Sequence, residues 1–290
     1  MSTYPLKWDQ IGEKVYETGT DRGVVYPYDS VNKQYGNGAA WNGLTGFTDS
    51  PSGADETALW ADNIKYVSIR AAEEYGGTIT AYTYPDEFAE CDGSAIPVTG
   101  ITIGGQKRKS FGFSCRTLVG NDTELNDFGY KIHLVWGASV SPSDKDYATV
   151  NDSPDAIEFS WEFTTTPVDV GTAYKKTAHM TIDTSKMTLV DGQGADTEAG
   201  TALKKLEAIL YGSSEASYWV TTSAPADWAT SYTSYYTKSG DTYTAVPAGS
   251  GAPEWEANTY YEKVEPTPAR LPSPGEVITL FGGSPNVTQG

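Results

Sequence analysis

The chain has 290 residues, 38% of them apolar, and a formal net charge of -18. That length suits one large core or two modest domains, and so acidic a balance excludes a protein that grips nucleic acid through phosphate contacts. No run approaches the roughly 20 apolar residues of a membrane helix, and residues 1–10 lack the apolar centre of a secretory signal, so the expected setting is a reducing cytosol with Cys91 and Cys115 as buried free thiols.

Tyr, Thr, Val and Trp are plentiful, which suits pleated, half-buried surfaces. In chain order, residues 11–18 and 22–28 read as two strands. Residues 32–62 combine Gly36, Gly38, Gly43, Gly46, Pro51 and Gly53 with Trp41, Leu44, Phe47 and Trp60. Long connections are usually functional; this one either folds over its own core or forms an arm that docks on a neighbouring subunit. Residues 63–70 alternate, a turn follows at 72–76, and residues 77–84 complete an expected hairpin. Residues 84–90 suit a short helix with Pro85 near its start.

Further on, residues 128–136 place Phe128, Tyr130, Ile132, Leu134 and Trp136 on one face. Residues 157–165 place Ile157, Phe159, Trp161 and Phe163 on one face and Glu158, Ser160, Glu162 and Thr164 on the other, and residues 177–183 alternate similarly. That is the pattern of an antiparallel sheet buried on one side. Residues 198–211 predict a helix, with Ala202, Leu203, Leu206, Ile209 and Leu210 on one stripe and a stop at Gly212. The elements together define a mainly β fold with one or two packing helices.

Residues 217–265 read as a small inserted β module. Ten of the 36 aromatics fall in these 49 residues. Trp228 leads to Tyr235 and Tyr236, and Trp255 leads to Tyr260 and Tyr261, a weak internal repeat suggesting two hairpin-like halves. Residues 239–241 form a turn within it.

Chemical motifs are scarce. His133 and His179 are the two histidines, each mid-strand, and HExxH, GxSxG, P-loop and GxGxxG patterns are absent. No metal ligands, cofactor or catalytic residues are expected. Residues 121–129 place oxygen donors at alternating positions, as calcium loops do, but a glycine is missing at the sixth position, and an Asx-rich turn is the better reading. Asn151–Asp155 reads as another. Glu158 and Glu162 should stand roughly 13 Å apart along a strand, a poor start for paired glycosidase carboxyls. Lys107, Arg108 and Lys109 suit a solvated turn or an ion pair.

Several segments, in this order, carry a resemblance: KWDQIGEKVYETGTDRGVVYPYD (7–29), YGNGAAWNGLTGFTDSPSGADETALWADNIKY (35–66), EEYGGTITAYTYPDEFAECDGS (73–94), GNDTELNDFGYKIHLVWGASVSPSDKDYATVNDSPDAIEFSWEFTTTPV (120–168) and ARLPSPGEVITLFGG (269–283). The chain resembles the major tail (tail tube) proteins of long, non-contractile-tailed bacteriophages of Gram-positive hosts. The resemblance implies an antiparallel β-sandwich or partial barrel with one flanking α-helix, formed by residues 1–216 and 266–290. It implies that inner sheets join into a ring barrel, usually a hexamer, and that rings stack into a tube. The implied partners are other copies of the chain, the tape measure protein, tail terminator and tail-tip proteins, and DNA in transit, with no membrane. The implied location is the virion tail, after assembly in the host cytoplasm. The insertion at 217–265 departs from the simpler family pattern.

On this reading Trp8, Trp41, Leu44, Phe47 and Trp60 are candidates for the ring-stacking contact. Glu13, Glu17, Glu158 and Glu162 are candidates for lining an electronegative bore that repels phosphates. Trp228, Tyr235, Tyr236, Trp255, Tyr260 and Tyr261 are candidate surface aromatics, and they motivate the rival reading of a carbohydrate- or surface-binding β-sandwich module.

Overall fold

A computed structural model describes residues 6–53, 56–143, 145, 147, 149, 156–192, 194, 196–214, 217–221, 235–239, 242–245, 260–264 and 266–286. The strands are β1 (Tyr16–Asp29), β2 (Gln34–Tyr35), β3 (Ala39–Trp41), β4 (Leu44–Asp49), β5 (Ser52–Gly53), β6 (Glu56–Ala61), β7 (Ile64–Arg70), β8 (Glu73–Glu74), β9 (Gly76–Ala81), β10 (Ala95–Val98), β11 (Ile101–Ile103), β12 (Phe111–Asn121), β13 (Leu125–Val140), β14 (Phe159–Thr165), β15 (His179–Asp183), β16 (Ser217–Thr221), β17 (Tyr235–Ser239), β18 (Thr242–Ala245) and β19 (Tyr260–Val264). The helices are α1 (Glu198–Tyr211) and α2 (Pro274–Leu280). The fold is mainly β, built on a large antiparallel sheet in a sandwich or partial-barrel arrangement.

By contacts the chain forms two compact units, Met1–Met187 with Arg270–Gly290, and Thr188–Ala269. The first contains a nine-stranded sheet with the path β2-β1-β12-β13-β14-β9-β4; β15 also pairs with β13, and β3 with β1. Both ends of the path are stitched by one short stretch. β3 pairs with β1, the chain turns at Asn42 and Gly43, and β4 pairs with β9. Gly43 adopts φ 73° at that turn, a left-handed conformation suited to glycine.

Inside the curl lies the core. Trp41 is 3% exposed, and its ring centroid is 4.4 Å from that of Phe88, 5.3 Å from Trp161 and 5.8 Å from Phe113. Its Nε1 donates to Thr83 O at 2.8 Å, which satisfies the buried indole. Phe111, Phe163, Ile79, Val25 and Val135 complete the cluster. The opposite face of β13 buries Ile132, Leu134 and Trp136, and Trp136 Nε1 donates to Pro272 O at 2.9 Å. The Cys91 and Cys115 thiols are free and buried, and burial pushes Cys91 up to about 12 and Cys115 higher.

Several expected elements are revised. The two strands expected at 11–18 and 22–28 are one, β1, because bulges around Gly19 and Arg22, both at positive φ, absorb the break. The connection at 32–62 is a chain of short strands. Residues 63–70 do not pair with 77–84: β7 pairs with β6, and β9 is a central strand between β14 and β4. The turn between β6 and β7 is Asp62–Asn63, both at positive φ, as in a type I′ hairpin. The short helix near Pro85 is a single 3₁₀ turn, Asp86–Phe88. Of residues 121–129 only the first four form the expected Asx turn, Asn121 Oδ1 accepting from the Thr123 and Glu124 amides at 3.0 and 2.6 Å, and β13 begins at Leu125. The turn expected at Asn151–Asp155 lies outside the described residues. Lys109 pairs with Glu90 of its own chain.

Helix α1 spans the predicted residues, buries Ala202, Leu203, Leu206 and Leu210, and is capped by Thr197 Oγ1, which accepts from Gly200 N at 3.1 Å. It groups with the second unit rather than the larger domain, because both of its ends are tied there. Thr197 N donates to Leu189 O, and Ser213 N donates to Thr267 O. The same unit holds one four-stranded antiparallel sheet, β16-β19-β17-β18, in place of two separate hairpin halves. Helix α2 begins at the Ser273 cap with Pro274 in its first turn, and Glu276 forms a paired contact with Arg270.

Replacing Trp41 with Ala should cost about 3–5 kcal/mol, the range for truncating a buried Trp. Trp60→Ala, at an exposed site, should change stability by no more than about 0.5 kcal/mol. Urea denaturation of both variants checks this, and equal midpoints would show that Trp41 is not a core residue.

Candidate functional site

The expected ring-stacking residues separate into two groups. Trp41 is a core residue and is unavailable as a contact anchor. Leu44 and Phe47 are half-buried against the same core, Phe47 stacking on Phe163 at 6.2 Å. The reason is the stitch: β3 and β4 must turn their apolar side chains inward to close the sheet. Trp60 and Trp8 remain outside, 70% and 72% exposed.

Trp60 belongs to a surface that the sequence reading only half located. The β6–β7 hairpin is a two-stranded sheet with no further strand partner among the described residues. Leu59, Trp60, Ile64, Tyr66, Val67 and Ile69 are all exposed along it. Leu59 lies opposite Val67, so one face carries a continuous apolar strip. Glu56 holds the base, accepting from Lys65 and Ser68, and these contacts lower its carboxyl from the usual range. A lone two-stranded hairpin is marginally stable in water, and unpaired edges invite another strand or surface. Residues 50–75 are anchored where Ser50 N donates to Gly76 O at 2.8 Å. Gly77 permits close pairing there, since a Cβ would lie 2.3 Å from Thr48 O.

Two smaller exposed apolar surfaces accompany the hairpin. One is the β10–β11 hairpin with Val98, Ile101 and Ile103. The other is the N-terminal segment with Leu6, Trp8, Ile11 and Val15. Gly12 N donates to Asp122 Oδ1 at 3.0 Å, which holds this segment to the β12–β13 turn.

The acidic candidates also divide. Glu17 is tied to Lys131 at 2.5 Å and accepts from Thr117 Oγ1 at 2.6 Å, so its charge is largely compensated. Glu13 is exposed. Glu158 and Glu162 lie on the outer face of the sheet around β14, where Ser160 is opposite Thr80 and Glu162 opposite Thr78. Glu158 accepts from Thr45, and neither glutamate has a cation partner among the described residues. Of the aromatic module candidates, Trp228 and Trp255 lie outside the described residues. The backbones of Tyr235 and Tyr236 are in β17, and those of Tyr260 and Tyr261 in β19, with Tyr236 opposite Tyr261.

One constellation was not foreseen. Asp49, His133 and His179 each place one ligand atom within 4.8 Å of the others, although 46 residues or more separate each from the next in sequence. His133 comes from the middle of β13, His179 from the start of β15 and Asp49 from the end of β4. The imidazoles are nearly parallel, 5.8 Å between centroids, and Tyr75 stacks on His179 at 4.7 Å while donating to Asp49 Oδ1. Desolvation lowers the pKa of both histidines, favouring neutral rings. No sequence spacing signals this cluster; it requires knowing that β15 pairs with β13 and that β4 ends nearby.

Compared with known proteins, the chain matches no family model and no curated protein.

Hydrogen exchange on the isolated chain should separate the hairpin from the core. Amides of β6–β7 should exchange at least a hundredfold faster than those of β12–β13, because open edges and exposed side chains leave local unfolding cheap. Comparable protection of the two regions would show that the hairpin is already covered.

Proposed function

We propose that the chain is a structural subunit of a phage tail tube, which assembles into rings that stack head to tail. The observation that carries this reading is the β6–β7 hairpin, apolar along its length and open at its edges. Burying the apolar strip on one of its faces would contribute on the order of 5 kcal/mol before the costs of ordering. Repeated at every subunit of a ring, that is ample for a stable axial contact. Such a contact is heterologous, so it propagates instead of closing on itself. Within a ring, copies would join at strand edges left open, such as that of β15, which pairs only with β13 among the described residues, to complete a closed barrel. Trp8 and the N-terminal segment supply a second exposed contact, and Trp41, Leu44 and Phe47 act indirectly by holding the root of the arm.

The hydroxyl- and carboxylate-bearing outer face of β14 and β9 is suited to a bore. Glu158 and Glu162 there would repel phosphates, letting DNA pass without adhering. The tape measure protein, tail terminator and tail-tip proteins are partners on the same reading.

Negative-stain microscopy of the purified chain, alone and with tail-tip extract, should show rings or tubes. A Trp60→Asp/Tyr66→Asp variant should keep wild-type circular dichroism and melting temperature yet remain monomeric. Normal tubes from that variant, or a wild-type chain monomeric under every condition, would overturn the proposal. In phage particles, Glu158→Gln/Glu162→Gln should leave tube morphology intact and slow DNA ejection several-fold. Unchanged ejection would remove the lubricating role and leave the tube assignment standing.

A further inference from the structure

The hydrogen-bond chain behind His133 fixes which of its nitrogens is free. Lys131 Nζ holds Glu17 at 2.5 Å, and Thr117 Oγ1 donates to Glu17 Oε1 at 2.6 Å. With its proton committed to the carboxylate, the Thr117 hydroxyl presents a lone pair to His133 Nε2, 2.9 Å away. Nε2 is therefore the N–H, and Nδ1 carries the lone pair. That Nδ1 is buried and has no hydrogen-bond partner, in a residue only 8% exposed. An unsatisfied polar atom at such burial costs about 1–3 kcal/mol and calls for an explanation.

His179 Nε2 likewise lies beside a threonine hydroxyl, 3.3 Å from Thr181 Oγ1. Asp49 is oriented by Tyr75 and is exposed, which gives the cluster an opening to solvent. A ring N–H donated outward to oxygen with the other nitrogen left over, as at His133, is the usual support for a histidine that ligates a metal.

We infer that His133, His179 and Asp49 bind a divalent first-row transition metal of the zinc class, with His133 Nδ1 as one ligand and water completing the coordination. Two imidazoles and one carboxylate are a suitable donor set for such an ion. Ligand atoms on tetrahedral zinc stand roughly 3.3 Å apart. Closing from separations of up to 4.8 Å requires side-chain shifts of about 1.5 Å or less, within reach of torsional adjustment. The metal would tie β4 to β13 and β15. Because Asp49 is the last residue of β4 and Tyr75 precedes β9, it would clamp the root of residues 50–75. The site stands independently of the tube proposal.

The test uses the full chain stripped with chelator and titrated with Co²⁺, then Zn²⁺. One equivalent of Co²⁺ should give the intense visible bands of four- or five-coordinate cobalt, and Zn²⁺ should abolish them. Asp49→Asn and His179→Gln, with wild-type circular dichroism, should each weaken binding at least tenfold. On the unmutated chain, nitrogen-detected imidazole spectra should show Zn²⁺ shifting resonances of both histidines, a readout that needs no variant to fold. The inference is overturned by only the weak bands of octahedral cobalt held at surface carboxylates, by affinity unchanged in both variants, or by imidazole resonances that do not move.

Discussion

The structure of the larger unit depends on closing its sheet around an aromatic core. Trp41, Phe88, Phe113 and Trp161 meet at the centre, and the indole of Trp41 is both apolar filler and a donor to Thr83. Because Trp41 sits at the end of β3, next to the turn into β4, its burial draws the two ends of the sheet path together. Leu44 and Phe47 of β4 must then face inward, and the chain can leave the core only after Asp49. The arm exists because the stretch before it is consumed by the core.

That division of labour explains why a single connection carries two opposite characters. Up to Asp49 its apolar residues are covered by their own chain; beyond it, Leu59, Trp60, Ile64, Tyr66, Val67 and Ile69 are not. Single exposed apolar side chains are ordinary, but six on one hairpin form a patch of the kind found at interaction surfaces. The histidine cluster lies where these regimes meet, its buried member in the sheet and its exposed member at the last residue before the arm.

Strand identities were largely legible because alternation reports burial on one face. β14 has Trp161 and Phe163 buried with Ser160, Glu162 and Thr164 exposed, as the pattern predicts. Helix α1 was legible from its stripe and its terminal glycine. Partnership was not, since periodicity says nothing about which strands meet; the alternation of residues 63–70 suits a partner on either side, and only the I′ turn at Asp62–Asn63 points to β6. The Ser273–Pro274–Gly275–Glu276 start of α2 is a capping signal that could have been read. Trp41 and Trp60 are the same residue type in one glycine-rich stretch, and only tertiary packing distinguishes them. The Asp49, His133 and His179 cluster depends wholly on strand pairing and was beyond any spacing rule.

Across the foot of the arm, Thr48 pairs with Thr78 and Asp49 with Gly77, so everything between them is an excursion returning to its point of departure. Closing a longer or shorter excursion changes the entropy only logarithmically with length. The body therefore constrains where the excursion begins and ends but not its content. Lineages could exchange, lengthen or re-letter this stretch while the aromatic interior stays untouched, retuning what the molecule meets at a rate decoupled from the rate at which it can afford to alter its frame.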